Sequence, residues 1–346
     1  MGKPSNKIVE FFKLQASMKK AGHISECFYH KKEECRGPIK QAHSLQKNGR
    51  LSLIEGEVNG QNKIYTFSNT QPNEKSYFGD LKPIGKGEAS TFFGFCDKHD
   101  AELFSDIENH EYDDSDKHNF LHSYRSFAHS YHISKQGIKA GNSDKKPRTP
   151  IDEPLLQGFK MSLVDFDISK AKLDRMIEHK IYEKLCYLSV VLPDQTIPIA
   201  CATVITPPYY YSGKPFNNHL DIDIPYSDIM LTVLPDYNQT IIIFACFSDD
   251  GASIKFLDEF STLSDLLFFK AVSSSLISQV ENTFFAPAFW NALGLEKQKQ
   301  LLKEIEYNVA EGLVMPPHKG FYRSKINLFD TRLSAQKLGI DCVWLK

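Results

Sequence analysis

Two residues separate Cys96 from His99 in Cys96-Asp97-Lys98-His99, and that pair constrains the fold of this chain more than any other feature. So short a gap lets both donors of a tight turn point at one ion, and tetrahedral sites are commonly built from two such pairs. Cys27 and Cys35 form the second pair, with seven residues between them, wider than the usual gap of about two to four. His30, three residues after Cys27, is an alternative to Cys35. The expectation is one structural zinc ion in the first hundred or so residues, held by Cys27, Cys35 or His30, Cys96 and His99.

The other four cysteines, Cys186, Cys201, Cys246 and Cys342, have apolar neighbours, as in Ala245-Cys246-Phe247, and read as small core residues. Seven cysteines in 346 residues are too few and too scattered for a disulfide scaffold. With no apolar run long enough to span a bilayer and no signal-peptide pattern, the expectation is a cytoplasmic protein with reduced thiols and no membrane partner. The net charge of −2 hides a split: residues 1–50 carry eleven Lys or Arg against four acids, and residues 97–117 carry nine acids against two lysines. A basic front end suits a nucleic-acid partner.

Length favours two domains. A short amphipathic helix is expected over residues 5–20, and brief strands between glycine-marked turns over 36–95. A helix follows from about Asp100, and a second over 117–134, where Phe120, Tyr124, Phe127 and Tyr131 share one face. The proline- and glycine-containing stretch 136–154 reads as a linker between domains 1–135 and 155–346. Beyond it come a helix at 166–184 and four strands, Cys186–Leu192, Ile197–Ile205, Asp228–Leu234 and Thr240–Phe247, expected as two hairpins. Helices at 263–284 and 287–305 close the unit. The fold class is α+β: a small zinc-stapled, treble-clef-like N-terminal domain with helices, and a C-terminal antiparallel sheet packed with helices, suited to recognition of a protein partner or a second copy.

Between the two cysteine pairs lies Pro38-Ile39-Lys40-Gln41-Ala42-His43-Ser44. Here residues 25–108 resemble the HNH, or ββα-metal, nuclease group, a treble-clef zinc fold with a histidine on a β-hairpin and a helix straight after the second knuckle. The resemblance implies that His43 is the general base for phosphodiester hydrolysis and that Asp100 is a ligand of a catalytic Mg²⁺ or Mn²⁺. It also implies that Glu88 stands where the group has its middle asparagine. The separation of His43 from Cys96 is long for the group. Nuclease modules of this kind, paired with a sensor domain, serve in bacterial defence against phage, and that is the expectation here. The competing expectation is a non-enzymatic zinc-binding interaction protein.

A second feature is the polar row His118, His122, Arg125, His129 and His132 on the helix at 117–134, at spacings of four, three, four and three. That periodicity sets them along one face. They are expected either to form a solvated face or to bind phosphate or a second metal. Arg125 and His132 also have the arginine, six residues, histidine spacing that resembles HEPN-type ribonucleases. In the second half, Glu281-Asn282 is expected to hydrogen-bond locally, and the run Pro207 to Pro215 to cover a sheet edge or offer aromatic rings for stacking.

Overall fold

The computed structural model describes residues 13, 16–67, 81–143, 152–217, 224–278, 282–312, 322, 327–329 and 336–341. The fold is α+β. Helix α1 is described over 16–22, and the earlier part of the helix expected at 5–20 lies largely outside the described residues. Strand β1 (Ile39–His43) pairs antiparallel with β5 (Thr91–Cys96) in a two-stranded sheet, and α2 (Asp97–Asn109) follows β5 without a gap. The long stretch between them supplies β2 (Gly56–Val58), β3 (Gln61–Thr66) and β4 (Lys82–Ile84).

The next elements are helices α3 (Asp116–Gly141) and α4 (Asp152–His179), then strands β6 (Leu185–Pro193), β7 (Ile199–Ile205), β8 (Ile229–Asp236) and β9 (Gln239–Phe247). After these come α5 (Gly251–Ser261), α6 (Asp265–Ser278), β10 (Thr283–Phe285), α7 (Pro287–Gly312) and β11 (Gln336–Asp341). Strands β2, β3, β4 and β6 to β11 form one nine-stranded sheet in the order β11-β6-β9-β8-β7-β10-β3-β2, with β4 on β3. The sheet thus runs through both halves of the chain: Phe284 and Phe285 of β10 pair with Thr66 and Tyr65 of β3 on one side and with Ala200 and Ile199 of β7 on the other.

Both faces of this sheet are covered, which is why its strands read as continuous apolar runs such as Ile241-Ile242-Ile243-Phe244-Ala245. Side chains alternate between two cores. Cys186, Leu188, Val190, Ile242 and Phe244 pack against α5, α6 and α7 through residues such as Phe256, Phe268 and Trp290. Tyr187, Ala202, Met230, Ile243 and Ala245 face the opposite way, toward α3, α4 and the β1–β5–α2 unit, with Phe95, Phe104, Tyr124 and Leu173. Helix α3 lies close to the sheet on small side chains: Ser126 and Thr232 share a hydroxyl hydrogen bond of 2.8 Å, and the Val204 amide donates to Ser130 Oγ at 3.0 Å.

Three local expectations are corrected. Of the two hairpins, β8–β9 forms, turning on Tyr237 and Asn238 with Asn238 at φ 58°. The β6–β7 pair does not, because the β8–β9 hairpin lies between those strands: β6 pairs with β9 and β7 with β8. The helix expected over 263–284 ends at Ser278, and Thr283–Phe285 become a strand where two neighbours offer pairing on both edges. Cys186 is disulfide-bonded, against the expectation of reduced core thiols, whereas Cys201 and Cys246 are free and buried. Of the expected linker, 136–141 complete α3, 152–154 open α4, and 144–151 lie outside the described residues. No helix among the described residues is long and apolar enough to cross a membrane.

Candidate metal centre and the groups around His43

Four segments bring Cys27, Cys35, Cys96 and His99 together, with their donor atoms all within 4.8 Å of one another. His99 Nδ1 lies 3.4, 3.6 and 3.3 Å from the sulfurs of Cys27, Cys35 and Cys96. Bonds of about 2.3 Å to sulfur and about 2.0 to 2.1 Å to nitrogen in a tetrahedron put such donors roughly 3.5 Å apart. The group can therefore hold one tetrahedral metal ion.

Each ligand has a local reason for its place. Residues 26–28 run beside β5, the amides of Glu26 and Phe28 donating to the carbonyls of Phe93 and Gly94. A 3₁₀ turn at Lys32–Glu34 folds the long gap back, its end closed by the Cys35 amide on the Lys32 carbonyl at 3.1 Å. Gly37 adopts φ +72°, a left-handed conformation suited to glycine, and a Cβ there would lie 2.5 Å from Asp97 Oδ2. The Arg36 and Pro38 carbonyls then accept from the amides of Lys98 and Asp97 at the start of α2. Burial pushes the Cys35 thiol up to about 12, reinforced by its two cysteine neighbours. A dication among the sulfurs reverses that preference, since the thiolate is the form that ligates.

The choice between Cys35 and His30 falls to Cys35. His30 turns away to α4, where its ring nitrogens lie 3.9 Å from Asp174 Oδ1 and 3.7 Å from Glu178 Oε2.

His43 ends β1 opposite Thr91. Its Nδ1 faces the Ala89 carbonyl at 3.0 Å, so Nδ1 carries the proton and Nε2 is left as the acceptor. Burial lowers its pKa to about 4, with the Arg125 charge adding to the effect, so the ring is neutral at neutral pH. Asp100, in the first turn of α2, has Oδ1 buried without a hydrogen-bond partner and 3.7 Å from Arg125 Nη2. Burial raises its pKa while Arg125 opposes that shift. Arg125 lies with its guanidinium carbon 4.3 Å from the centre of the Phe104 ring and donates to Glu108 Oε1 at 2.6 Å.

Glu88 does not join this group. It is exposed in the turn before β5 and bonded through its backbone, its amide donating to Gly85 and its carbonyl accepting from Thr91 Oγ1. Among the described residues the only group of three or more ligands in reach of one ion is the Cys3His cluster.

The polar row is neither a solvated face nor one binding surface, because α3 lies between the sheet and the β1–β5–α2 unit and all five side chains are buried. His118 sits between Asp113, at 3.0 Å, and Asp106, at 3.5 Å. Arg125 belongs to Asp100 and Glu108. His129 and His132 pack edge-on against Phe92 with ring centres at 5.3 and 5.5 Å. His122 is buried and its pKa is driven well below the ordinary value, by burial first and then by the charges of Arg50 and Arg125. Arg125 and His132, seven residues apart on α3, serve different surroundings.

Three residues near His43 were not legible as site residues. Gln46 donates to the Glu108 carbonyl at 2.9 Å, Glu108 holds Arg125, and Asn282 donates to Ser44 Oγ at 3.0 Å and to the Ala202 carbonyl. The Asn282 bonds reach far along the chain, against the expectation of a local role. The run 207–215 closes on itself through a Tyr209–Pro215 bridge, with Tyr210 buried on Phe216. No family model, curated protein or solved structure matches the chain.

Proposed function

We propose that the Cys3His centre holds zinc and that the protein is a cytoplasmic, metal-dependent nucleic-acid endonuclease of HNH-like type. In this reading it is the effector half of a bacterial anti-phage pair whose remaining elements recognise a trigger. One observation carries the reading. His43 stands at the end of the first strand of a β–β–α unit, its Nδ1 on a backbone carbonyl, with Asp100 following the metal ligand His99 on the helix.

The chemistry follows from those positions. The Ala89 carbonyl orients the imidazole, and the neutral ring presents Nε2 to take a proton from an attacking water. Burial that lowers the pKa weakens the base but keeps it in its proton-accepting form. Arg125, fixed by Glu108 and the Phe104 ring, brings positive charge to the Asp100 side of the site. Mg²⁺ or Mn²⁺ at Asp100 would offset the charge that develops on the phosphate.

The low basicity of His43 is also what favours the competing reading, a zinc-binding interaction module without catalysis. The two separate on one experiment: zinc content, and cleavage of DNA and RNA with added Mg²⁺ or Mn²⁺, for the native chain and His43→Ala. Cleavage that falls by about 10² or more in His43→Ala with zinc retained supports the enzyme. Absence of cleavage by the native chain on either polymer overturns it.

A further inference from the structure

A cavity of about 220 Å³ opens on the turn that follows His43 in the chain, and neither the candidate metal centre nor the proposed hydrolysis uses it. Three elements wall it: the turn from Gln46 to Arg50, the C-terminal end of α2 from Ile107 to Glu111, and the tip of the β8–β9 hairpin at Asp236 and Tyr237. Its first wall residue, Gln46, comes three residues after His43. Glu108, in the second wall, is the carboxylate that holds Arg125.

The polar groups of this cavity form a recognition set. Arg50 is only 6% exposed, is ion-paired through Nη1 to Asp236, and has a buried Nε with no partner. Asp236 also holds its own turn, accepting from the Tyr237 amide at 2.8 Å and from Gln239 Nε2 at 3.0 Å. Tyr237 is fixed in backbone by that turn, yet its side chain is 73% exposed. The lining therefore combines a buried guanidinium and carboxylate acceptors with an exposed aromatic side chain.

We infer that this cavity receives one unstacked nucleobase, with Tyr237 as its stacking platform and Arg50, Asp236 and Glu108 reading its edge, so that the substrate is single-stranded or flipped nucleic acid. Three carboxylates, Glu108, Glu111 and Asp236, line the cavity and repel a phosphate. A base offers amino donors and carbonyl acceptors that match carboxylate and guanidinium, and every base has a face that stacks on an aromatic ring. A paired base inside a duplex presents neither a free face nor its pairing edge. The inference rests on the nuclease reading for its consequence, because the base would sit next to the scissile phosphate, but its test needs no cleavage.

The test measures fluorescence anisotropy of labelled 12-nucleotide single-stranded DNA, single-stranded RNA and the matching duplex with His43→Ala protein, alone and combined with Tyr237→Ala or Tyr237→Phe. Tyr237 is exposed, so its replacement leaves the fold intact. The expected result is tighter binding of one or both single strands than of duplex. Tyr237→Ala then weakens that binding about 5- to 150-fold, the range of one base–aromatic stack, and Tyr237→Phe restores it. The DNA and RNA arms tell which sugar accompanies the base. Duplex bound as tightly as single strands, single-strand binding unmoved by Tyr237→Ala, or no binding at all overturns the inference. Tyr237-dependent binding by a native chain that cleaves nothing leaves this site standing and removes the nuclease reading; cleavage of duplex without dependence on Tyr237 does the reverse.

Discussion

Lowering the pH from 8 to 5 protonates in the unfolded chain histidines that the fold still holds neutral, and the cost can be worked from two of them. Burial lowers the pKa of His129 to about 3, with the nearby His132 adding to the effect, and that of His132 to about 4, with Lys135 and His23 adding to it. In the unfolded chain both titrate near 6.5. A histidine whose folded pKa is depressed contributes stability that is whole above the unfolded pKa and is lost as pH falls toward the folded value. At pH 5 the unfolded state gains about 2 kcal/mol per histidine from protonation that the folded state scarcely shares, so the pair costs about 4 kcal/mol relative to pH 8. That is a large part of the roughly 5 to 15 kcal/mol that stabilises an ordinary domain. Urea unfolding at pH 8, 7, 6 and 5 measures the loss in the native chain and in His129→Leu/His132→Leu. Protonation of the Cys3His cluster affects both proteins alike, so the difference between their pH dependences isolates the pair. A double variant that loses as much stability between pH 8 and 5 as the native chain would refute the reasoning, as would imidazole NMR signals of His129 titrating near 6.5 in the folded protein.

Cys35→Ser should abolish metal binding at the cluster and His30→Ala should leave it intact, because only Cys35 lies with the other three donors; metal content after gel filtration checks both. Asp236→Ala leaves the buried Arg50 guanidinium without its counter-ion and should cost about 3 to 5 kcal/mol in urea unfolding. Arg50→Met/Asp236→Leu should regain most of that loss, and a double variant as unstable as the single one would count against the ion pair as the cause.

The metal centre was legible because its chemistry is local. Cys96 and His99 lie on one turn, and no tertiary information is needed to see that their donors can face one ion. The Cys27 half was ambiguous for the opposite reason: the 3₁₀ turn at Lys32–Glu34 shortens a seven-residue gap that spacing alone reports as too wide. Strands β6 to β9 were found within a residue or two from their apolar runs, yet their partners were not, since strand order depends on which edges the rest of the chain leaves open. The polar row on α3 misled most. Helical periodicity showed correctly that the five residues lie on one side, but burial on more than one side of a helix is decided by what packs over it. Here both the sheet and the β1–β5–α2 unit do, so residues that seemed to share a surface are divided among Asp113 and Asp106, Glu108, and the Phe92 ring.

The long separation of His43 from Cys96 has a structural meaning of its own. The inserted residues supply β2, β3 and β4, so the chain leaves the β1–β5–α2 unit, enters the large sheet and returns at β5. His43 stands at the exit of that excursion and Ala89, which orients it, near the return. The turn after His43 is held from both sides: the Ser44 amide donates to the Ser90 carbonyl at 2.8 Å, and Ser44 Oγ accepts from Asn282 beside β10, where the second half of the chain pairs with β3. The proposed base is therefore positioned by the whole sheet, although the candidate metal centre at the other end of the β1–β5 pair is built from the first hundred residues alone. That arrangement gives the second half a physical route to the site, since any displacement of β10 acts on Asn282 and through it on Ser44. A change that loosened this contact would move His43 while leaving the Cys3His cluster, which gathers at the opposite end of the β1–β5 pair, in place.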